Sequence, residues 1–124
     1  MLIEIKEAYD DAKKALNMWK TAGKELVNVL DRLSTAEANY KSIVAMVTSE
    51  KDTDGTSKAA LKEIVKGDSR VLKAEAEVNM LKKYKESYNV RIDYLKAQYE
   101  LEKKRMSAEM EEAGKMNFEE YGGN

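Results

Sequence analysis

Cysteine, histidine and proline are absent from this chain of 124 residues, and phenylalanine and tryptophan occur once each. Without cysteine there is no disulfide scaffold, which fits a cytoplasmic location. With histidine missing too, the usual zinc ligands, thiol nucleophiles and Ser-His or Cys-His pairs are gone. Carboxylate chemistry is left as the main enzymatic option. No apolar run reaches the length of a membrane span. Glu4 and Glu7 interrupt the first apolar stretch, and no small-residue cleavage site follows it, so no secretory signal is expected.

What remains is rich in charge: 36% of residues are charged and 43% hydrophobic, enough apolar material to bury and therefore not a disordered composition. In steps of three and four, Ile5, Tyr9, Ala12, Leu16, Trp19, Gly23, Leu26, Leu30, Leu33, Glu37, Tyr40, Val44 and Val47 form a nearly unbroken heptad seam. Met18, Val27, Val29 and Ile43 widen it toward the face of a bundle helix, so a first helix is predicted over 2–47. Thr48 to Ser57 has no apolar residue and holds Asp54-Gly55, the composition of an exposed turn. A short helix over Lys58 to Lys66 is expected next, then Gly67-Asp68-Ser69 as a helix stop and a new N-cap.

From Ser69 the second seam is Val71, Ala74, Val78, Leu81, Lys85, Tyr88, Ile92, Leu95, Tyr99, Glu102 and Met106, which predicts a helix to about Ala113. Two helices on the order of 65 Å long joined by a turn imply an all-α fold: an antiparallel helical hairpin with a short connecting helix. Apolar stripes wider than one partner can cover imply a homo-oligomeric bundle or ring, with Trp19, Leu26, Leu30, Leu33, Tyr88, Ile92, Leu95 and Tyr99 as its expected interface. One hairpin domain, 1–113, is expected, followed by a flexible acidic tail, 114–124, in which Phe118 and Tyr121 flank acids and suit docking onto a protein partner. A turn centred near Asp54 would set position 37 opposite about 71 and Gly23 opposite about Lys85. Glu37 and Lys85 are then charged breaks in the seams, of the kind that fix register.

Formal net charge is −1, yet charge is segregated: thirteen bases and eight acids occupy 58–105, and one base and five acids occupy 106–124. Lys82, Lys83, Tyr84, Arg91, Tyr94, Lys103 and Lys104 interleave bases with rings, the composition of a surface for single-stranded nucleic acid, where charges meet phosphates and rings stack on bases. The same lysines suit a solvated helix face with intrahelical Glu–Lys pairs, and Tyr88 and Tyr99 lie on the seam as core residues. No metal-binding helix repeat, phosphate loop or nucleophile elbow occurs, so no catalysis and no cofactor are expected.

Layout carries a resemblance. A long helix holding Tyr9 and Trp19, Tyr40-Lys41 near its end, the Asp54-Gly55 turn, and Asp68-Ser69-Arg70-Val71-Leu72-Lys73 opening a tyrosine-containing helix resemble the UvsY family of phage recombination mediators. The resemblance implies a small helical ring-former, located in the host cell cytoplasm if phage-encoded, that binds single-stranded DNA. It also implies help to a RecA-like recombinase in replacing a single-strand-binding protein, with Lys41 as the transferable DNA-contact position. Bases and aromatics cluster before the family's glycine-rich turn, whereas here Glu50, Asp52 and Asp54 follow Lys41. The alternative is a helical interaction module without nucleic acid: a coiled-coil adaptor, a phage inhibitor of a host protein, or a secreted helical hairpin, although the Trp-x-Gly turn of the last is missing.

Overall fold

The computed structural model describes the backbone of residues 2–122 and the side chains of residues 2–114. It consists of α1 (Leu2–Lys51), α2 (Lys58–Lys66) and α3 (Ser69–Gly122), with no strand among the described residues. The two long helices pack against each other and α2 lies between them in sequence, the expected hairpin-like architecture.

Helix ends follow local hydrogen bonding. α1 continues four residues past Val47 because nothing stops it there: the Thr48 hydroxyl donates to the Val44 carbonyl at 2.6 Å, and the Asp52 N–H donates to the Thr48 carbonyl at 2.9 Å. Residues 48–51, polar in composition, are therefore helix, and the turn shrinks to 52–57. Gly55 takes φ +92° within it, a region that residues with a Cβ rarely adopt. Ser57 caps α2, its Oγ accepting from the Ala60 N–H at 3.2 Å. Asp68 caps α3, accepting the Arg70 N–H at 2.9 Å. α3 then runs to Gly122 rather than ending near Ala113, since Gly114 weakens a helix by only about 1 kcal/mol and no proline follows.

The chain forms two compact units, each drawing on both long helices: Met1–Glu25 with Tyr88–Asn124, and Leu26–Ser87. In the second unit, Leu33, Ala36, Val78 and Leu81 make one apolar cluster and Val47, Val65 and Val71 another, with Tyr40 packed against both. In the first unit, Ala8, Ala12, Ala15, Ala22 and Leu95 are buried, and the Trp19 and Tyr99 rings sit 5.8 Å apart, tilted 30°. That spacing is within the range of favourable aromatic pairs.

The buried face of α1 differs from the predicted seam in one of its two columns. Ala12, Trp19, Leu26, Leu33, Tyr40 and Val47 are buried or half-buried as expected. The companion column is Ala8, Ala15, Ala22, Val29, Ala36 and Ile43, one residue before the predicted Tyr9, Leu16, Gly23, Leu30, Glu37 and Val44. Tyr9 and Leu30 are exposed, and so is Glu37, which carries no burial cost. Leu16, Gly23 and Val44 of the predicted column are half-buried, and Val44 packs against the Val47 cluster, so the covered face takes in parts of both columns. Ala8, Ala12, Ala15, Ala22 and Ala36 are all buried, so small apolar side chains make up much of the covered face of α1. On α3 the predicted seam holds, except that Lys85 is exposed.

Register differs too. Leu33 and Ala36 meet Val78 and Leu81, so position 37 falls near 78 rather than 71. The nine residues of α2 lengthen the connection on one side of Asp54 and move its midpoint toward residue 60.

Adjacent positions on α1 should therefore respond with opposite signs. A Cβ at Gly23 meets no atom within 4 Å, so Gly23→Ala should stabilise the chain by about 0.5–1 kcal/mol through helix propensity. Ala22 is 2% exposed, so Ala22→Leu should destabilise by about 1–3 kcal/mol through overpacking. Urea denaturation of the two variants reads both signs, and a tolerated Ala22→Leu would contradict the alanine column.

Candidate functional site

Among the described residues, the polar group with the most side-chain hydrogen bonds lies in the second unit. The Arg70 guanidinium binds Glu50 through both terminal nitrogens, at 3.2 and 2.7 Å, and binds Asp68 through Nε and Nη2, each at 3.1 Å. Bidentate pairing of this kind is directional as well as charged. Asp68 thus caps α3 with a backbone bond and holds the arginine that ties the last turn of α1 to the first turn of α3. The guanidinium holds both carboxyls below their ordinary range, and Arg70 is in turn pushed up by them. Composition gave no hint of this clamp. Its signal was an arginine two residues after an Asp N-cap, inside the Asp68-to-Lys73 stretch that carries the family resemblance. The structure gives that stretch a folding role: Asp68 caps, Arg70 clamps and Val71 is buried.

The sequence-predicted nucleic-acid residues divide between the units. In the second, Lys41 and Lys82 line one hollow together, with Glu37, Tyr40, Glu75 and Asn79 around them. Two carboxylates oppose two ammonium groups there, which weakens any attraction for phosphate. Lys82, Lys83 and Tyr84 are consecutive, so each points about 100° from the next around α3, and Tyr84 stands 45% exposed.

In the first unit, Arg91 lines a hollow with Asp10, Lys13, Lys14 and Glu25. Lys103 and Lys104 line a different one, with Glu100 and Glu111. Tyr94 is 66% exposed and one turn from Arg91, while Lys103, nine residues on, points to the opposite side of the helix. Arg105 pairs with Asp11 at 2.8 Å and with Glu102 at 3.4 Å, both through Nη1.

The expected separation of tyrosines is therefore observed: Tyr88 and Tyr99 are half-buried, and Tyr84 and Tyr94 are exposed. Of the residues expected at an oligomer interface, Leu33 and Leu95 are buried within the chain, Trp19 and Tyr99 stack on each other, Leu26, Tyr88 and Ile92 are half-buried, and Leu30 is exposed. Phe118 and Tyr121 lie outside the residues whose side chains are described.

α3 carries one feature that composition did not bring out. On the side turned away from Tyr88, Ile92, Leu95 and Tyr99, Val90, Tyr94 and Leu101 are 71%, 66% and 66% exposed. Among the described residues no helix is long and apolar enough to cross a membrane, and no three carboxylates are grouped to hold a metal ion. No protein-family model, curated protein or solved structure matches the chain.

The clamp gives a pH dependence with a defined sign. Glu50 and Asp68 titrate lower in the folded chain than in the unfolded one, so their contribution is complete above the ordinary carboxylate range. It is lost as pH falls through the lowered values. Between pH 7 and about 3 the melting temperature of the native chain should fall further than that of Arg70→Gln, as followed by circular dichroism. Equal losses in the two proteins would contradict the clamp.

Proposed function

We propose that this protein is a non-catalytic helical assembly module: its intramolecular seam folds the hairpin, and the opposite side of α3 docks onto another protein helix. One observation carries the reading, the exposure of Val90, Tyr94 and Leu101 along a single side of α3 within the first unit. Singly exposed apolar residues are ordinary, but a row of them at helical spacing marks an interaction face. In two of the three hollows acids equal bases in number, which supports protein contact over phosphate contact there, while the hollow at Arg91 has three bases to two acids.

Isolated gently from its native cells and weighed by native mass spectrometry, the chain should appear in a defined complex heavier than its own 14.1 kDa. Val90→Asp combined with Leu101→Asp should release it from that complex without loss of helical circular dichroism. A chain that stays at 14.1 kDa in both forms would overturn the docking reading.

A second reading is favoured by Tyr94 and Arg91, an exposed ring one turn from an exposed guanidinium: a mediator that holds single-stranded DNA without sequence preference and assists a RecA-like recombinase against a single-strand-binding protein. A second helix and a strand of stacked bases cannot both cover Tyr94. In anisotropy titrations of labelled oligo-dT, this reading expects affinity to fall with a log–log salt slope of about −0.7 per phosphate contacted. It also expects a loss of about 1–3 kcal/mol in Tyr94→Ala. Absence of binding at low salt would remove it.

A further inference from the structure

Val90, Tyr94, Ala97, Leu101 and Ala108 are spaced by four, three, four and seven residues, and all are exposed. Read as a heptad, Tyr94, Leu101 and Ala108 form one core column and Val90 and Ala97 the other, with Lys104 completing it. The flanking columns are sorted by sign. Arg91, Gln98 and Arg105 border the stripe on one side, and Asp93, Glu100 and Ser107 border it on the other.

Such sorting discriminates between orientations of a self-pair. In a parallel pair of α3 helices, the acidic border of one copy faces the basic border of the other, and Glu100 comes opposite the partner subunit's Arg105, five residues along. In an antiparallel pair, like borders meet, arginine against arginine and carboxylate against carboxylate, which is repulsive. Arg105 is equipped for the added contact, because both ion pairs within its own chain use Nη1. Its guanidinium carries five N–H donors in all. Lys104 weakens the seam and at the same time fixes its register, since a shift would place the ammonium against apolar side chains.

We infer that this stripe takes the same stripe of a second copy of this chain, with the two α3 helices parallel. The inference rests on the docking reading above and names its partner. A chain without cysteine makes the test clean, because each single substitution introduces the sole thiol. Val90→Cys and Ala108→Cys mark the two ends of the stripe, and Lys96→Cys marks an exposed position away from it. The purified full chain is brought to about 100 µM, a concentration at which a micromolar self-pair is populated, and oxidised with glutathione disulfide.

Val90→Cys alone and Ala108→Cys alone should each give disulfide-linked dimers at least tenfold faster than Lys96→Cys. Unsubstituted chain should sediment as a dimer under the same conditions. Cross-linking of positions 90 and 108 only when the two variants are mixed would establish antiparallel pairing and overturn the proposal. So would equal rates for all three variants, or a 14.1 kDa monomer for the unsubstituted chain. A purified monomer that still appears in a complex from its native cells overturns self-pairing while leaving the docking reading intact. A chain free in both settings overturns both.

Discussion

The burial of a column of alanines along α1 is the constraint on which the other features depend. Ala8, Ala15, Ala22 and Ala36 recur every seven or fourteen residues, and all are buried. A column of small side chains costs little conformational entropy to order. The larger residues of the other column, Trp19, Leu33, Tyr40 and Val47, then pack beside this narrow strip. Because the strip is narrow, bulk on its margins is left over: Tyr9 and Leu30 remain outside it on α1. On α3, Val90, Tyr94 and Leu101 are likewise exposed.

The docking reading rests on those residues. A helix that is apolar on one stripe finishes its work with one partner, whereas α3 bears a folding stripe at Leu95 and Tyr99 and a second at Val90, Tyr94 and Leu101. Acids are interspersed among its bases. Lys41 and Lys82 share their hollow with Glu37 and Glu75, and Lys103 and Lys104 share theirs with Glu100 and Glu111. Charges distributed in this way select orientation and partner more than they attract a polyanion. The Arg70 clamp belongs to folding, since it joins α1 to α3 where the chain reverses.

Periodicity made much of this legible. The α3 seam from Val71 to Met106, the limits of α2, the Asp54-Gly55 turn and the inward placement of Tyr88 and Tyr99 could all be read from spacing. The alanine column could not, because Tyr9 and Leu30 offer more apolar bulk than Ala8 and Ala22, and which of two adjacent columns is covered is decided by tertiary packing. Register was misjudged because α2 displaces the midpoint of the connection away from Asp54. The clamp on Arg70 joins residues twenty apart, beyond the reach of any local pattern. Lysines and tyrosines close in sequence read as one surface, but helical geometry turns Lys103 away from Tyr94.

One side of α3 folds the chain, and by the self-pairing proposed above the other joins it to a second copy. Thermal unfolding followed by circular dichroism, from about 1 to about 300 µM chain, tests it most directly, because association of the folded state raises apparent stability by mass action. Self-pairing predicts a melting temperature that climbs with concentration in the native chain and stays level in Val90→Asp/Leu101→Asp. A melting temperature independent of concentration in both proteins would contradict it.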